Sequence, residues 1–503
     1  MKFQTIYYCL SLLFAMSFSV LKSQDIQAKH DTIRLDLETA IQLAKDSSIA
    51  SFRMKNMYLA NYWAFKNYKA NKLPSLNMYT NLADYNRSMV KRYDSENDVD
   101  IYRLQQLFSS GANLSLTQRI PSTGGSLYFD SEINMLNSIG NDNSSMFYSV
   151  PARIGLSQPL FSYNSYKWES KIAPVQFEKS KLELVYNLEE ISIITISHFF
   201  NLVLAQVNYN LSKSNLDNAD TLYKIALKKY EIAAISQEEL LGLKLNLINT
   251  RIKHSKNKIS LRNAEMILCS FLKLSANTYI IPILPESPPV SHIPASEVLS
   301  HAKSNNPKYL EFELKSLESS REVDKNKMHN KFNTTLNISY GLNQSAVSLS
   351  EAYDSPMGQQ IAQISFNFPI VDWKMSRGKY EMAMKYKEVA EAEIRQDKVD
   401  FERNIMLNTM EYNNQASIIA GAIEADKAAE QIYRITQDRF VIGEVDLFRL
   451  NAAQISKNQA KQNYYQSLQN YWIQFYKIRQ FSLYDFSKEK SLLDLIDFEL
   501  QER

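Results

Sequence analysis

Shifted by 210 residues, this 503-residue chain superposes on itself without a gap over two long segments. Pro159 falls on Pro369, Ala173 on Ala383, Tyr223-Lys224-Ile225 on Tyr433-Arg434-Ile435, Ile232 on Ile442, Leu240 on Leu450 and Phe271 on Phe481. A chain written twice folds as one supersecondary unit made twice, each copy burying its apolar face against its neighbours. Upstream the shift changes. Ala44-Lys45 matches Ala302-Lys303 at 258, so the first copy carries 48 extra residues ahead of Pro159. Between the copies, Pro282, Pro285, Pro288, Pro289 and Pro294 crowd one short stretch. Proline there removes helical hydrogen bonds, which predicts an extended connector over 282–295.

Each copy reads helix, strand, strand, long helix, turn, helix. In the first, the pattern predicts a helix from Asp36 to about Lys72, strands at Leu76 to Ala83 and Ile154 to Gln158, a long helix from Tyr163 to Ile232 and a return helix from Gln237 to Leu274. Helical spacing is visible in Ile196, Phe199, Val203 and Val207, in Ala219, Leu222, Ala226 and Tyr230, and in the heptad series Ile405, Tyr412 and Ile419. A helix of about 70 residues spans roughly 105 Å, and the opening and return helices roughly 55 Å each. Two short rods stacked beside one long rod would give a uniform bundle with strands at one end and a turn at the other. Pro174 is harmless in a first turn and disruptive anywhere deeper.

The strands alternate. Leu336, Ile338, Tyr340 and Leu342 interleave with Asn337, Ser339, Gly341 and Asn343, and Ile364, Phe366 and Phe368 with Gln363, Ser365 and Asn367. One apolar and one polar face suits a lipid-facing barrel and a soluble half-buried hairpin equally. Two facts favour the membrane: a helical rod offers these strands nothing to pack on, and the chain carries an export signal. Lys2, the apolar run Ile6 to Leu21 and the small residue Ser23 predict a signal peptide over 1–23. Past it, no uninterrupted apolar run reaches the length of a spanning helix, so a membrane crossing would have to use strands. The extra residues hold another pair, Asn113 to Gln118 and Leu127 to Ile133, around Thr123-Gly124-Gly125-Ser126. This predicts an additional hairpin within 84–153, at a loop or in the sheet.

Composition excludes several classes. Lys+Arg 57 against Asp+Glu 54 leaves +3, too little for a nucleic-acid footprint. Eleven glycines argue against a fold rich in tight loops. Cys269 would be the only cysteine after processing, so no intrachain disulfide is expected. The six histidines form no metal-binding pattern, the Thr123 turn lacks a phosphate-loop lysine, and Glu189-Glu190 and Glu238-Glu239 are adjacent on helices and point apart. No enzyme site, cofactor or metal is expected.

With a signal peptide, two copies of helix, hairpin, long helix and turn, and a Pro-rich joint, the chain resembles the TolC family of outer-membrane efflux channels. The resemblance runs from about Thr32 to Phe486. It is carried by the openings Leu37 to Ile49 and Val298 to Pro307, and most by the strand-to-helix junctions Leu156-Ser157-Gln158-Pro159-Leu160-Phe161 and Phe366-Asn367-Phe368-Pro369-Ile370-Val371. It implies a mainly α fold with a small β part, long antiparallel coiled-coil-like helices forming a tunnel, and hairpins forming a shared trimeric transmembrane β-barrel. It divides the chain into repeats at 32–281 and 296–486 and a tail at 487–503. It further implies a homotrimer in the outer membrane of a Gram-negative envelope, each chain giving four strands, with a long periplasmic portion.

The expected partners are outer-membrane lipid, a periplasmic adaptor and an inner-membrane transporter, the chain serving passively as exit duct for efflux or type I secretion. Four strands cannot close a barrel alone, which independently demands several copies in lipid. By the same resemblance the turns Ile232-Ala233-Ala234-Ile235-Ser236 and Ile442-Gly443-Glu444-Val445-Asp446 dock the adaptor, and Glu239 and Arg449, six positions past the turn glycine site, form a candidate gate. The plainer alternatives are that the turn residues only pack and that these charges are solvated. An exported soluble coiled-coil scaffold is the competing function.

Overall fold

A computed structural model describes residues 32–94, 98–139, 143–275, 277–285, 292–330 and 332–495, so the expected signal peptide at 1–23 lies outside the described residues. In chain order the first copy gives β1 (Thr32–Asp36), α1 (Leu37–Ser47), α2 (Ile49–Ala70), β2 (Ser75–Asp94), β3 (Val99–Ile120), β4 (Gly125–Ser138), β5 (Ser144–Leu160), α3 (Ser165–Glu231), α4 (Gln237–Phe271) and β6 (Tyr279–Ile283). The second gives α5 (Ala295–Asn305), α6 (Pro307–His329), β7 (Asn333–Ala346), α7 (Glu351–Asp354), β8 (Met357–Asn367), α8 (Met375–Val441) and α9 (Leu447–Ser482), then β9 (Tyr484–Asp485), β10 (Lys490–Ser491) and a 3-10 turn at Leu493–Leu495. Both long helices, α3 and α8, have 67 residues.

The chain divides into two compact units, and the long helices contribute to both. The first comprises Met1–Ile49, Ile191–Pro288 and Ser417–Trp472. Here β1 pairs in parallel with β6 from Thr32↔Tyr279 to Asp36↔Ile283. Asp36 ends that strand and caps α1, its carboxylate accepting from the Thr39 N–H at 2.9 Å and the Thr39 hydroxyl at 2.7 Å. Those bonds hold its pKa below the ordinary aspartate value. Leu222 and Ala226 of α3, Leu243 of α4, Tyr433 of α8, and Leu450 and Ala453 of α9 form one buried cluster.

The second unit comprises Ala50–Glu190, Pro289–Ala416 and Ile473–Arg503. It contains a six-stranded antiparallel sheet in the order β2-β3-β4-β5-β7-β8. Near its C-terminal end, Arg479 is buried between two carboxylates, its Nε 3.1 Å from Glu189 and its Nη1 2.7 Å from Asp485. The next residue, Gln480, donates to Glu190 at 2.6 Å. The adjacent glutamates therefore do point to different partners, both supplied by α9.

Several expectations change. The opening helix is two helices broken at Ser48, whose extended backbone (φ −66, ψ 152) ends α1. The second copy breaks at the corresponding Asn306, where Pro307 begins α6. The connector starts inside a strand, since Pro282 and Ile283 belong to β6, and ends in helix at Ala295, while residues 286–291 lie outside the described set. Four strands become six because the inserted pair grows to β3 and β4 and joins the middle of the sheet. Phe368 falls outside β8. The tail is structured as far as Leu495: β9 and β10 pair, and Leu483 and Leu492 pack with Val185 of α3. Pro174 lies well inside α3, where its missing N–H leaves a helical carbonyl without its usual donor.

The helical seams are buried at Ile196, Phe199, Val203, Ala219, Leu222, Ala226, Ile405, Tyr412 and Ile419, whereas Tyr230, at the end of its series, is exposed. One 18-residue window of α3 is apolar enough to cross a membrane by length and composition, and half of it is buried within the chain. Buried Ile196, Phe199, Phe200, Leu202 and Val203 account for that apolarity as helix packing.

Candidate functional site

The sheet has its polarity reversed relative to a soluble protein. Register places Leu76, Leu116, Phe129, Ile154 and Tyr340 in one row across β2, β3, β4, β5 and β7, all on the same face. All five are exposed. Met78 and Leu114 on that face are exposed as well, as are Leu127, Ile338, Ile364 and Phe366. The opposite row reads Asn77, Ser115, Asp130, Arg153, Gly341 and Gln359.

Several polar groups on this second face bond to one another. Asp130, only 8% exposed, accepts from Ser115 Oγ at 2.6 Å and from Arg153 Nη2 at 3.1 Å. Asn134 donates to Glu132 at 2.6 Å. Gly155 leaves room for the Tyr128 ring, which a Cβ would meet at 2.2 Å. A half-buried soluble hairpin would hide the apolar row and expose the polar one. A wall between lipid and a wet interior does the reverse. Above the apolar band, the β2–β3 hairpin turns polar, with Lys91 2.5 Å from Asp100 and Tyr93 donating to Asp98 at 2.6 Å.

The strand-to-helix junctions differ between the copies. Pro159 stands inside β5 opposite Thr335, whereas Pro369 follows the end of β8. Pro369, Phe332, Phe366 and Phe368 line a cavity of about 610 Å³ together with Asn330 and Asp372. Asn164 caps the start of α3 by accepting from Lys167 N–H at 3.1 Å, and Asp372 caps α8 by accepting from Ser376 N–H at 3.1 Å.

In the first unit, the two helix-to-helix turns are built alike. The Ala233 N–H donates to Tyr230 at 2.9 Å and the Ala234 N–H to Lys229 at 2.8 Å. The Gly443 N–H donates to Phe440 at 3.1 Å and the Glu444 N–H to Arg439 at 2.9 Å. Both are Schellman closures, and the residue at the left-handed position is Ala233 (φ 56) in one and Gly443 (φ 86) in the other. The return helices are capped by Ser236 and Asp446. Ser236 forms a reciprocal box with Glu239, at 3.2 and 3.0 Å, and Asp446 accepts from the Arg449 N–H at 2.8 Å.

The predicted turn residues divide into two groups. Ile235 and Val445 line one cavity of about 410 Å³ with Leu222, Leu243, Phe440 and Leu447, and so pack the turns. Ile232 and Ile442 are 76% and 69% exposed, and Phe448 beside them is 80% exposed. Lys229 Nζ donates to the Val441 carbonyl at 2.9 Å, tying the end of α8 to α3. Phe448 and Lys229 were missed by the sequence reading, although both lie within a few residues of the turns it selected. Glu239 and Arg449 occupy the third position of α4 and α9, exposed, and no ion pair joins them among the described residues. The described residues contain no cluster able to hold a metal ion.

Residues 298–481 match the family model described as outer membrane efflux protein. No curated protein matches the chain by sequence. Among solved structures, the Campylobacter jejuni CmeC outer membrane channel is similar at TM-score 0.65 and 15% identity, over 93% of this chain and 89% of that one. The outer membrane protein VceC from Vibrio cholerae gives 0.62 at 12% identity, over 89% and 95%. The open MtrE outer membrane channel of Neisseria gonorrhoeae gives 0.57 at 14%, over 89% and 88%. Residues 298–481, in the second copy, thus carry an outer membrane efflux protein domain, and the chain has the fold of these outer membrane channels over most of its length.

Proposed function

We propose that this chain is the outer-membrane exit duct of a tripartite efflux or type I secretion machine, conducting cargo passively while an inner-membrane transporter supplies the energy. The observation that carries the reading is the exposed apolar row running across the sheet, backed by a polar row in which Ser115, Asp130 and Arg153 are bonded together. In water such a face is an aggregation hazard; in lipid it is the stable arrangement. Three copies associate to close the barrel, and the long helices line a periplasmic passage. The channel performs no bond chemistry.

The turns at 232–236 and 442–446 dock a periplasmic adaptor. Exposed Ile232, Ile442 and Phe448 supply the apolar contact, and the rigid Schellman closures hold them out. Glu239 and Arg449, without an ion pair to each other inside one chain, pair between neighbouring copies as a ring that narrows the passage. Arg449→Ala should then raise single-channel conductance; an unchanged conductance removes the gate.

Membrane fractionation tests the whole reading. The expected result is recovery in the outer membrane as oligomers that survive mild detergent and fall apart on heating. A soluble periplasmic monomer would replace the duct by the scaffold. Docking is tested by Ile442→Asp, expected to abolish export while leaving the oligomer intact.

A further inference from the structure

The sheet ends on two open edges, and we propose that they pair between copies of this chain, β8 of one against β2 of the next, so that all six strands of each copy join one barrel. This inference rests on the channel reading above and adds the strand count to it.

The edges demand a partner. Among the described residues β2, with 20 residues, and β8, with 11, each have a neighbour on one side only. Their outward side chains, Leu76, Met78 and Leu82 on β2 and Ile364 and Phe366 on β8, are exposed and apolar, so the edges share the lipid-facing band. There an unpaired N–H or C=O costs several kcal/mol. Direction also fits. Every adjacent pair is antiparallel and the number is even, so β2 and β8 run oppositely and a head-to-tail joint between copies is itself antiparallel.

The inserted hairpin belongs to the wall. β3 and β4 are bonded on both sides and have 22 and 14 residues, more than the roughly 9–11 a tilted strand needs to span. Their connecting turn is fixed at the helical end of the sheet: Asn164 donates to the Pro121 carbonyl at 3.0 Å and Gln118 to the Lys72 carbonyl at 2.9 Å. Three copies therefore bring eighteen strands, where two plain repeats would bring twelve. Barrel diameter grows nearly in proportion to strand number, so the bore is about 1.5 times wider and holds an aqueous channel.

The test uses the full chain with Cys269→Ser, purified in mild detergent. One cysteine on β2 (Asn77→Cys or Asn81→Cys) is combined with one on β8 (Gln359→Cys or Gln363→Cys), then oxidised. At least one combination should give covalent dimers and trimers on a non-reducing gel, and no single-cysteine variant should. Imaging the unmodified oligomer by electron microscopy decides the count without any substitution. Eighteen strands is the expected result. An intact oligomer with twelve strands, the inserted hairpin lying outside the wall, overturns this inference alone, whereas a monomer in detergent would remove the channel reading beneath it.

Discussion

The two copies of the repeat meet the same structural demands with different residues. At the turns, the first copy forces Ala233 into the left-handed region that the second gives to Gly443. At the opening break, the second copy has the Asn306 cap followed by Pro307, whereas the first has Ser48 followed by Ile49. At the end of the return helix, Cys269 sits where the second copy has Arg479. The thiol is buried and makes a weak 3.6 Å contact to the Thr278 carbonyl, while the guanidinium holds two buried carboxylates. Backbone geometry is thus the constrained quantity, and side chains vary as long as some local bond enforces it.

This contrast can be broken most severely at Arg479. Arg479→Ala removes the guanidinium that the buried carboxylates of Glu189 and Asp485 share and should cost about 3–5 kcal/mol, against about 1 kcal/mol for Cys269→Ala. Hydrogen exchange of residues 484–495 reads the difference, and equal effects at the two sites would dissolve the distinction. Acid probes the same site. Burial opposes ionisation of Asp485, but Arg479 and the Ser487 hydroxyl and N–H outweigh it, so its folded pKa lies below the ordinary value. Its contribution is therefore present above the unfolded carboxylate pKa and lost as pH falls through the lowered one. The C-terminal segment should loosen below pH about 4, and Asp485→Asn should remove much of that dependence.

A smaller effect is expected at the breaks. Asn306→Ala removes a cap on the Lys308 N–H at 2.9 Å and a bond to the Phe481 carbonyl at 2.8 Å, and should cost about 2 kcal/mol, read as a drop in thermal midpoint. At the turns the substitutions should act in opposite directions. Gly443→Ala should destabilise by about 1 kcal/mol and Ala233→Gly should be neutral or stabilising, both read as thermal midpoints of the oligomer. Matching signs would mean that the turns are held by something other than backbone conformation.

Much of the helical part was legible because coiled seams repeat every few residues: Ile405, Tyr412 and Ile419 are buried as their spacing required. The start of the first return helix was legible at Gln237, where Ser236 caps from a fixed local position as Asp446 does in the second copy. Ser48 was not, since nothing in Ser-Ile resembles a helix stop, and the break appears only with Ser48 packed 1% exposed in the folded unit. Strand ends were illegible for a related reason. β2 and β3 run past the alternating core into Arg87, Lys91 and Asp100, where cross-strand bonds, not side-chain polarity, extend the pairing.

The sequence alone determined the duplication, the helix-hairpin-helix order of each copy, the family likeness and the two faces of each strand, all of which are local or self-comparative properties. Only the tertiary structure decided that the insertion sits between β2 and β5 in the sheet, that the apolar row is the exposed one, and that Ile232 and Ile442 stand out while Ile235 and Val445 pack. Alternation states that a strand has two faces. Which face meets lipid or water, and which strand lies beside which, depends on contacts between residues far apart in the chain.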